Sequence, residues 1–183
     1  MNAATTEPTL DMVATAVRAL VLYSLAEHQS GHATTIKVNA VGTSFGITDD
    51  GRGHSIARAV EGASYLKFIY THFDYPFESA VAAPIQLQGI GMSFINAACS
   101  ELALTVRNRG EVLELLFRNG RLDKRTRTTT ISNVTGNTIS AKISPQLQRN
   151  DTDTERLEAW LLEVLDSNPS LELFFNGREL RPH

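Results

Sequence analysis

The sequence lacks the features that mark several classes of protein. It has one cysteine in 183 residues, and its longest apolar stretches are interrupted by Arg18, Ser24 and Glu27. One thiol cannot close an internal disulfide, which excludes a disulfide scaffold and favours a reducing, cytoplasmic compartment. A transmembrane helix needs roughly 20 consecutive apolar residues, so the sequence predicts no membrane span. Residues 1–8 contain no basic residue before an apolar run, and they therefore do not resemble a secretory signal.

An excess of charge of one sign is also missing. The chain carries 17 basic and 20 acidic side chains, for a net charge of −3. This balance excludes wholesale electrostatic attachment to DNA or to an acidic membrane. Residues 107–127 form a locally basic segment without interleaved stacking aromatics. We therefore expect a solvated face there and no nucleic-acid partner.

The composition and length suit one globular domain. Hydrophobic residues make up 42% of the chain, and a chain of this length buries roughly 70% of its unfolded surface. No linker-like stretch divides the sequence. We predict a flexible N-terminus over residues 1–8 and a single domain over residues 9–183, in which residues 71–88 form a lid-like loop.

The order of hydrophobic patterns predicts the fold class. Helical spacing indicates four helices, at Thr9–Gln29 with Thr9 as N-cap, Ile56–Tyr70, Met92–Ser100 and Asp151–Leu165. Alternation indicates strands at residues 34–39, 44–48, 102–107, 112–118, 126–132, 138–144 and 171–175, with a turn at Gly42 between the first two. This order predicts an α/β (α+β) two-layer sandwich, in which a mixed, mostly antiparallel sheet carries helices on one face.

Several short motifs follow one another in a recognisable order. They are Ser30-Gly31-His32, Thr48-Asp49-Asp50-Gly51-Arg52-Gly53, the segment 87–97 with Gly89-Ile90-Gly91, and Val134-Thr135-Gly136-Asn137-Thr138-Ile139. In this order and at this spacing, the chain from Leu10 to Leu180 resembles the ATP-binding domain of DNA gyrase B. It also resembles the wider GHKL group of ATPases, which share the Bergerat fold.

The resemblance implies roles for the residues that match its motifs. Asp49 would accept a hydrogen bond from a bound base, and Gly51 and Gly53, which have no Cβ, would let backbone lie against that base. Arg52 would line the outer edge of the pocket. The resemblance further implies ligand contacts for three more residues: Gly89 and Gly91, which precede a helix and could hold a phosphate, and Asn137.

The first helix departs from the family pattern. Counting back from Gly31, Ala19 stands where the family has the glutamate that activates water, and Tyr23 stands where it has the asparagine that ligates magnesium. Leu22 replaces an aspartate of gyrase. Alanine cannot accept a proton, and a neutral phenol is a poor Mg²⁺ ligand. We therefore predict no metal site and no gyrase-type ATPase, and the length predicts that gyrase's second domain is missing.

The departures leave open how the cleft is used. Ala19, Leu22 and Tyr23 form either repacked core or an apolar end of the cleft that contacts a ligand. His54 is either a surface histidine after a turn or a general acid/base beside Asp49 or Asp50. On the second interpretation, His54, Asp49 and Tyr23 are the catalytic candidates.

The leading hypothesis is a degenerate, gyrase-B-like domain that is not a topoisomerase and whose nucleotide cleft binds a small organic molecule. In one form of it the protein is a metal-independent acid/base enzyme of a biosynthetic pathway, of isomerase, lyase or cyclase type, without a cofactor. The alternative is a non-hydrolysing pseudo-ATPase that binds ATP or ADP and acts as a regulator or antibiotic decoy. A scaffold with a collapsed cleft is a third interpretation. The expected partner is a small-molecule ligand, and oligomerisation is left open.

Overall fold

The structure is a computed structural model, and it describes residues 10–60, 63–72, 91–148 and 150–182. Within these ranges the chain forms four helices and ten strands. The helices are α1 (Met12–Gln29), α2 (Tyr65–Thr71), α3 (Met92–Ala98) and α4 (Thr154–Asp166). The strands are β1 (Thr35–Val41), β2 (Ser44–Asp49), β3 (Ala59–Val60), β4 (Ala63–Ser64), β5 (Cys99–Asn108), β6 (Glu111–Arg118), β7 (Arg121–Thr129), β8 (Gly136–Ile143), β9 (Glu172–Phe175) and β10 (Arg178–Glu179).

Eight strands form one mixed sheet in the order β10-β9-β1-β2-β8-β5-β6-β7. The pair β1 and β9 is parallel, and the other pairs of this sheet are antiparallel. The short strands β3 and β4 pair separately as a hairpin. The prediction of a mixed, mostly antiparallel sheet is confirmed.

Alternate residues of the strands are buried, so one face of the sheet meets the helices. In β1 the side chains of Ile36, Val38 and Ala40 are buried, whereas their neighbours are more exposed. Helix α1 packs against β1 and β2, and α4 packs against β9. Apolar residues from these helices and the buried strand positions form one core, as the two-layer prediction requires.

Helix α1 begins at Met12 because Asp11 caps it. The Asp11 carboxylate accepts the backbone N–H of Ala14 at 2.9 Å. The predicted start and N-cap at Thr9 are therefore wrong, and Thr9 itself lies outside the described residues. The helix ends at Gln29 as predicted, where the N–H of Ser30 donates to the carbonyl of Ala26.

The helix predicted over Ile56–Tyr70 is wrong for its first half. The backbone N–H of Tyr65 donates to the carbonyl of Arg58 at 3.0 Å, and Ala59 pairs with Ser64, so the chain turns back on itself before α2 begins. Ile56, before the hairpin, and Leu66, in α2, are both buried. Apolar residues on both sides of a short hairpin can therefore produce a pattern that resembles helical spacing.

Other element boundaries differ from the prediction for local reasons. Strand β7 begins at Arg121, five residues before the predicted start, because a turn at Asn119 and Gly120, both with positive φ, leads directly into its pairing with β6. The positive-φ turn at Asn176 and Gly177 adds β10, which the sequence pattern did not predict. Of the predicted lid, residues 73–88 lie outside the described residues. No helix of the described chain is long and apolar enough to span a bilayer.

Candidate functional site

Asp49 lies at the end of β2 and is buried, with 5% of its surface exposed. Its carboxylate accepts the hydroxyl of Ser24 at 2.9 Å, the backbone N–H of Gly51 at 3.1 Å and the backbone N–H of Asn137 at 3.3 Å. Burial raises the pKa of Asp49, and these hydrogen bonds oppose the rise because they favour the charged form. The carboxylate is therefore a fixed, desolvated acceptor.

Asn137 links Asp49 to His54. Its side-chain oxygen accepts the backbone N–H of His54 at 3.1 Å, while its own backbone N–H donates to Asp49. The carbonyls of Gly53 and His54 accept the amide of Asn108 at 3.3 and 2.9 Å. These contacts hold the loop after β2 against the start of β8 and the end of β5.

The imidazole of His54 is buried and paired with Tyr23. Its Nδ1 lies 2.9 Å from the Tyr23 hydroxyl, and the two ring centres are 5.1 Å apart. Burial lowers the pKa of His54 to about 4 and raises the pKa of Tyr23 well above its ordinary value. Both groups are therefore neutral near pH 7. The imidazole faces the phenol, and neither Asp49 nor Asp50 hydrogen-bonds to its ring among the described contacts.

Asp50 turns away from this pair. Its carboxylate accepts the backbone N–H groups of Thr34 and Thr35 at 2.8 and 2.9 Å and the Thr34 hydroxyl at 2.5 Å. These bonds lower the pKa of Asp50 against the effect of burial. The carboxylate ties the loop before β1 to the end of β2.

Arg52 forms an ion pair on the surface side of the site. Its Nη2 and Nε atoms donate to the two carboxylate oxygens of Glu27, at 2.7 and 3.0 Å. The Arg52 hydrogen bonds lower the pKa of Glu27. The Arg52 side chain is 61% exposed, so it lies at the surface beside the loop that follows β2.

Ala19, Tyr23 and Glu27 occupy successive turns of one face of α1. Ala19 is buried, and Leu22 is partly buried against the core. A magnesium ion would need carboxylate, amide or phosphate oxygens. Ala19 offers only a methyl group, Tyr23 a phenol bonded to His54, and the carboxylate of Glu27 is paired with Arg52. The residues at the family's metal and base positions therefore do not fit a Mg²⁺ ion.

Two glycines let the backbone segments of the site approach closely. A Cβ on Gly53 would overlap the carbonyl oxygen of Arg107, and φ is +72° there. A Cβ on Gly51 would lie 3.0 Å from the Asp49 carboxylate and 3.3 Å from Glu27. Gly53 therefore lets the loop after β2 approach the end of β5, and Gly51 lets the same loop fit between Asp49 and Glu27.

The predicted phosphate loop is described in part. Gly91 is the N-cap residue of α3, and Gly89 lies outside the described residues. A Cβ on Gly91 would meet one neighbouring atom, the Ser93 hydroxyl at 3.8 Å.

Ser24 and Gly136 belong to the site although sequence reasoning did not select them. A Cβ on Gly136 would overlap the carbonyl oxygen of Asp49, and Ser24 is the hydroxyl donor to the Asp49 carboxylate. The sequence could have indicated Ser24, because it follows Tyr23 directly on the helix that the resemblance assigns to the cleft.

No family model matches the chain. Two curated relatives, the DNA gyrase B proteins of Caulobacter vibrioides strains NA1000 / CB15N and ATCC 19089 / CIP 103742 / CB 15, are 34% identical over 103 residues. The match covers 53% of this chain, which spans 13% of the length of these relatives.

Solved structures are similar over most of the chain. One is a topoisomerase IV ATP-binding domain of Francisella tularensis in complex with a small-molecule inhibitor, with a TM-score of 0.72, 21% identity and coverage of 90% of this chain and 83% of that one. Another is the 43K ATPase domain of Thermus thermophilus gyrase B in complex with an aminocoumarin, with a TM-score of 0.72, 22% identity and coverage of 89% and 43%. The chain therefore has the GHKL-like fold of the gyrase B and topoisomerase IV ATP-binding domains.

Proposed function

We propose that the cleft around Asp49 binds a small, uncharged organic molecule and does not hydrolyse ATP. The observation that carries this proposal is the hydrogen bond between Tyr23 and His54. Tyr23 stands where the family has its metal ligand, and this hydrogen bond places a second neutral group, the His54 imidazole, beside it. A triphosphate without a metal ion would leave several negative charges against this neutral pair and Ala19, at a high cost in desolvation.

The anchor for such a ligand is Asp49. Its carboxylate is buried and held by donors from three segments of the chain, one of them the backbone N–H of Gly51, which has no side chain. An N–H or O–H group of an uncharged, flat molecule could donate to this carboxylate. Most small-molecule sites are apolar with a few such fixed polar groups.

The function that we propose for this cleft is binding and not acid/base catalysis. The acid/base hypothesis relied on an imidazole tuned by a neighbouring carboxylate, whereas His54 is hydrogen-bonded to a phenol. With a pKa of about 4, His54 is a weak base, and near pH 7 it is not in the imidazolium form that a general acid needs.

The pseudo-ATPase is a second candidate, and two observations favour it. The Asp49 carboxylate is fixed by the backbone N–H of Gly51, and Gly91 precedes α3. In this alternative the phosphates would be held without magnesium, and ATP or ADP would bind more tightly than adenosine.

The proposal includes a cytoplasmic protein with no nucleic-acid partner. In the basic segment, Arg127 donates to Glu111 at 2.5 Å, and Arg118 lies 3.5 Å from both Glu101 and Asp123. These pairs neutralise part of the charge that nucleic acid would need.

The test measures binding of a ligand series that differs in phosphate charge. Adenosine, ADP and ATP, each with and without Mg²⁺, are added to the parent protein and to Asp49→Asn in thermal-shift assays, alongside an NMR screen of uncharged heterocyclic fragments. We expect fragments that stabilise the parent, no added stabilisation from phosphates or Mg²⁺, and loss of binding in Asp49→Asn.

Asp50→Asn is the matched control, because Asp50 is the neighbouring carboxylate but is bonded to Thr34 and Thr35. It should bind the fragments as the parent does. Magnesium-dependent phosphate release would refute the proposal. Binding that strengthens from adenosine to ATP without turnover would replace it with the pseudo-ATPase.

A further inference from the structure

A cavity lies between the N-terminal parts of α1 and α4. Its volume is about 890 Å³, within the range of small-molecule sites, and none of its lining residues belongs to the cleft around Asp49. Charged side chains in its lining come from both helices, among them Arg18 of α1 and Arg156 of α4.

One side-chain donor of Arg18 lacks a hydrogen-bond partner among the described residues. Its Nε atom is buried and has no hydrogen-bond partner, and its guanidinium carbon lies 5.4 Å from the ring centre of Trp160. Arg156 lies one turn before Trp160 on the same face of α4. The ion pairs found among the described residues involve neither arginine. A partly buried cation without an acidic partner is costly, so a bound anion would stabilise Arg18 in this arrangement.

The acidic residues of the cavity are largely occupied by other contacts. The Asp11 carboxylate accepts four hydrogen bonds, from the backbone of Ala14 and Asp153 and the side chains of Gln148 and Thr152. The Asp153 carboxylate caps α4 through the N–H of Arg156, and Asp151 is exposed. Two of the three carboxylates in the lining, those of Asp11 and Asp153, are therefore already held by donors within the protein.

Apolar surface lies beside the two arginines. Leu10 is 67% exposed and Leu147 is 50% exposed, and both line the same cavity. A ligand that covers these side chains gains hydrophobic contact in addition to its charge contacts.

We propose that this cavity binds a small organic anion, with its carboxylate or phosphate group held by Arg18 and Arg156 and its apolar part against Leu10 and Leu147. Guanidinium groups suit both anions because their planar N–H pairs match two oxygens. This site is independent of the function proposed for the cleft.

Trp160 provides a local probe, because it is the one tryptophan of the chain and packs against Arg18. Its fluorescence is titrated with hexanoate and hexyl phosphate, with hexanol as the uncharged analogue and chloride at equal ionic strength. We expect saturable changes with at least one of the two anions and little response to hexanol or chloride. The anion that binds more tightly shows whether the site prefers a carboxylate or a phosphate group.

Variants then test the two arginines. Arg18→Met keeps a long side chain over Trp160, and Arg156→Gln changes an exposed residue of α4. Each should weaken anion binding by about tenfold or more, as loss of a charge-assisted hydrogen bond requires. Arg178→Gln is the control, since Arg178 pairs with Glu158 outside this cavity and should leave binding unchanged.

Three results would overturn the proposal: hexanol binding as tightly as hexanoate and hexyl phosphate, unchanged affinity in both arginine variants, or no Trp160 response to either anion at millimolar concentration. If Arg18→Met does not fold, Arg156→Gln alone decides the charge requirement. Circular dichroism of each variant confirms that a loss of binding is not a loss of structure.

Discussion

Burial sets the charge state of His54, and this has a consequence for stability. The pKa of its imidazole is about 4 in the folded protein, against 6.5 for an ordinary histidine. Between these values the unfolded chain binds a proton that the folded protein does not, so stability must fall as pH falls from 6.5 towards 4. The whole effect is about 3 kcal/mol, from the cost of each pKa unit.

Urea unfolding at several pH values between 7 and 4 measures this effect. His54→Gln removes the titrating ring but keeps an acceptor for Tyr23, so its free energy of unfolding should depend less on pH in this range. Burial raises the pKa of Asp49 above its ordinary value of 3.8. Asp49 therefore makes the folded protein more stable as pH falls towards 3.8, which is opposite to the effect of His54. The difference between parent and variant therefore isolates His54.

His32→Gln serves as the control, because His32 is exposed. It should follow the parent curve. An identical pH dependence in the parent and in His54→Gln would show that His54 is not held neutral by burial.

At the scale of elements, Asp11 joins the N-terminal ends of α1 and α4. It caps α1 and also accepts hydrogen bonds from Gln148, Thr152 and Asp153 in the segment that leads into α4. Gln148 in turn accepts the backbone N–H of Val13. The two helices are thus fixed to one another by a single carboxylate.

We expect Asp11→Ala to lower the free energy of unfolding by about 2 kcal/mol or more, because it removes a cap and three further acceptor bonds. Asp153→Ala removes a cap with one acceptor bond, to the N–H of Arg156, and should cost about 1 kcal/mol. Chemical denaturation compares the two. Equal losses would contradict the joining role of Asp11.

At the scale of the whole molecule, the sequence predicted what depends on local patterns. Alternation and the turn at Gly42 predicted β1 and β2, and helical spacing predicted α4 to within three residues at its start and one at its end. The order of the glycine motifs predicted the fold and the place of Asp49 in it. These signals lie within short stretches of chain, where period and spacing are informative.

The partners of the site residues could not be predicted in this way. Asn137 bonds to Asp49 across 88 positions of sequence, and His54 is buried because Asn108 and Asn137 hold its backbone from two other strands. Tertiary contacts decided these features, and no local pattern records them. The hairpin of β3 and β4, which replaced a predicted helix, differs because contacts between its own neighbours in sequence close it.

Gly136 lies where the start of β8 closely approaches the end of β2. Its φ is +122°, and a Cβ there would overlap the carbonyl oxygen of Asp49, whose peptide group cannot move without disturbing β2. Gly31 also has a positive φ, +75°, but a Cβ there would meet no atom of the described residues within 4 Å. Both values of φ favour glycine, that of Gly136 more strongly, and Gly136 is also the position where a side chain would collide with a neighbour.

We expect Gly31→Ala to cost about 1 kcal/mol in the free energy of unfolding, through backbone strain alone. Gly136→Ala should cost about 3 kcal/mol or more, because the new methyl group must separate β8 from the end of β2. Chemical denaturation measures both, and the NMR signal of the Asn137 backbone N–H should shift in Gly136→Ala but not in Gly31→Ala. Equal costs would mean that the approach of β8 to Asp49 is not what requires glycine at this position.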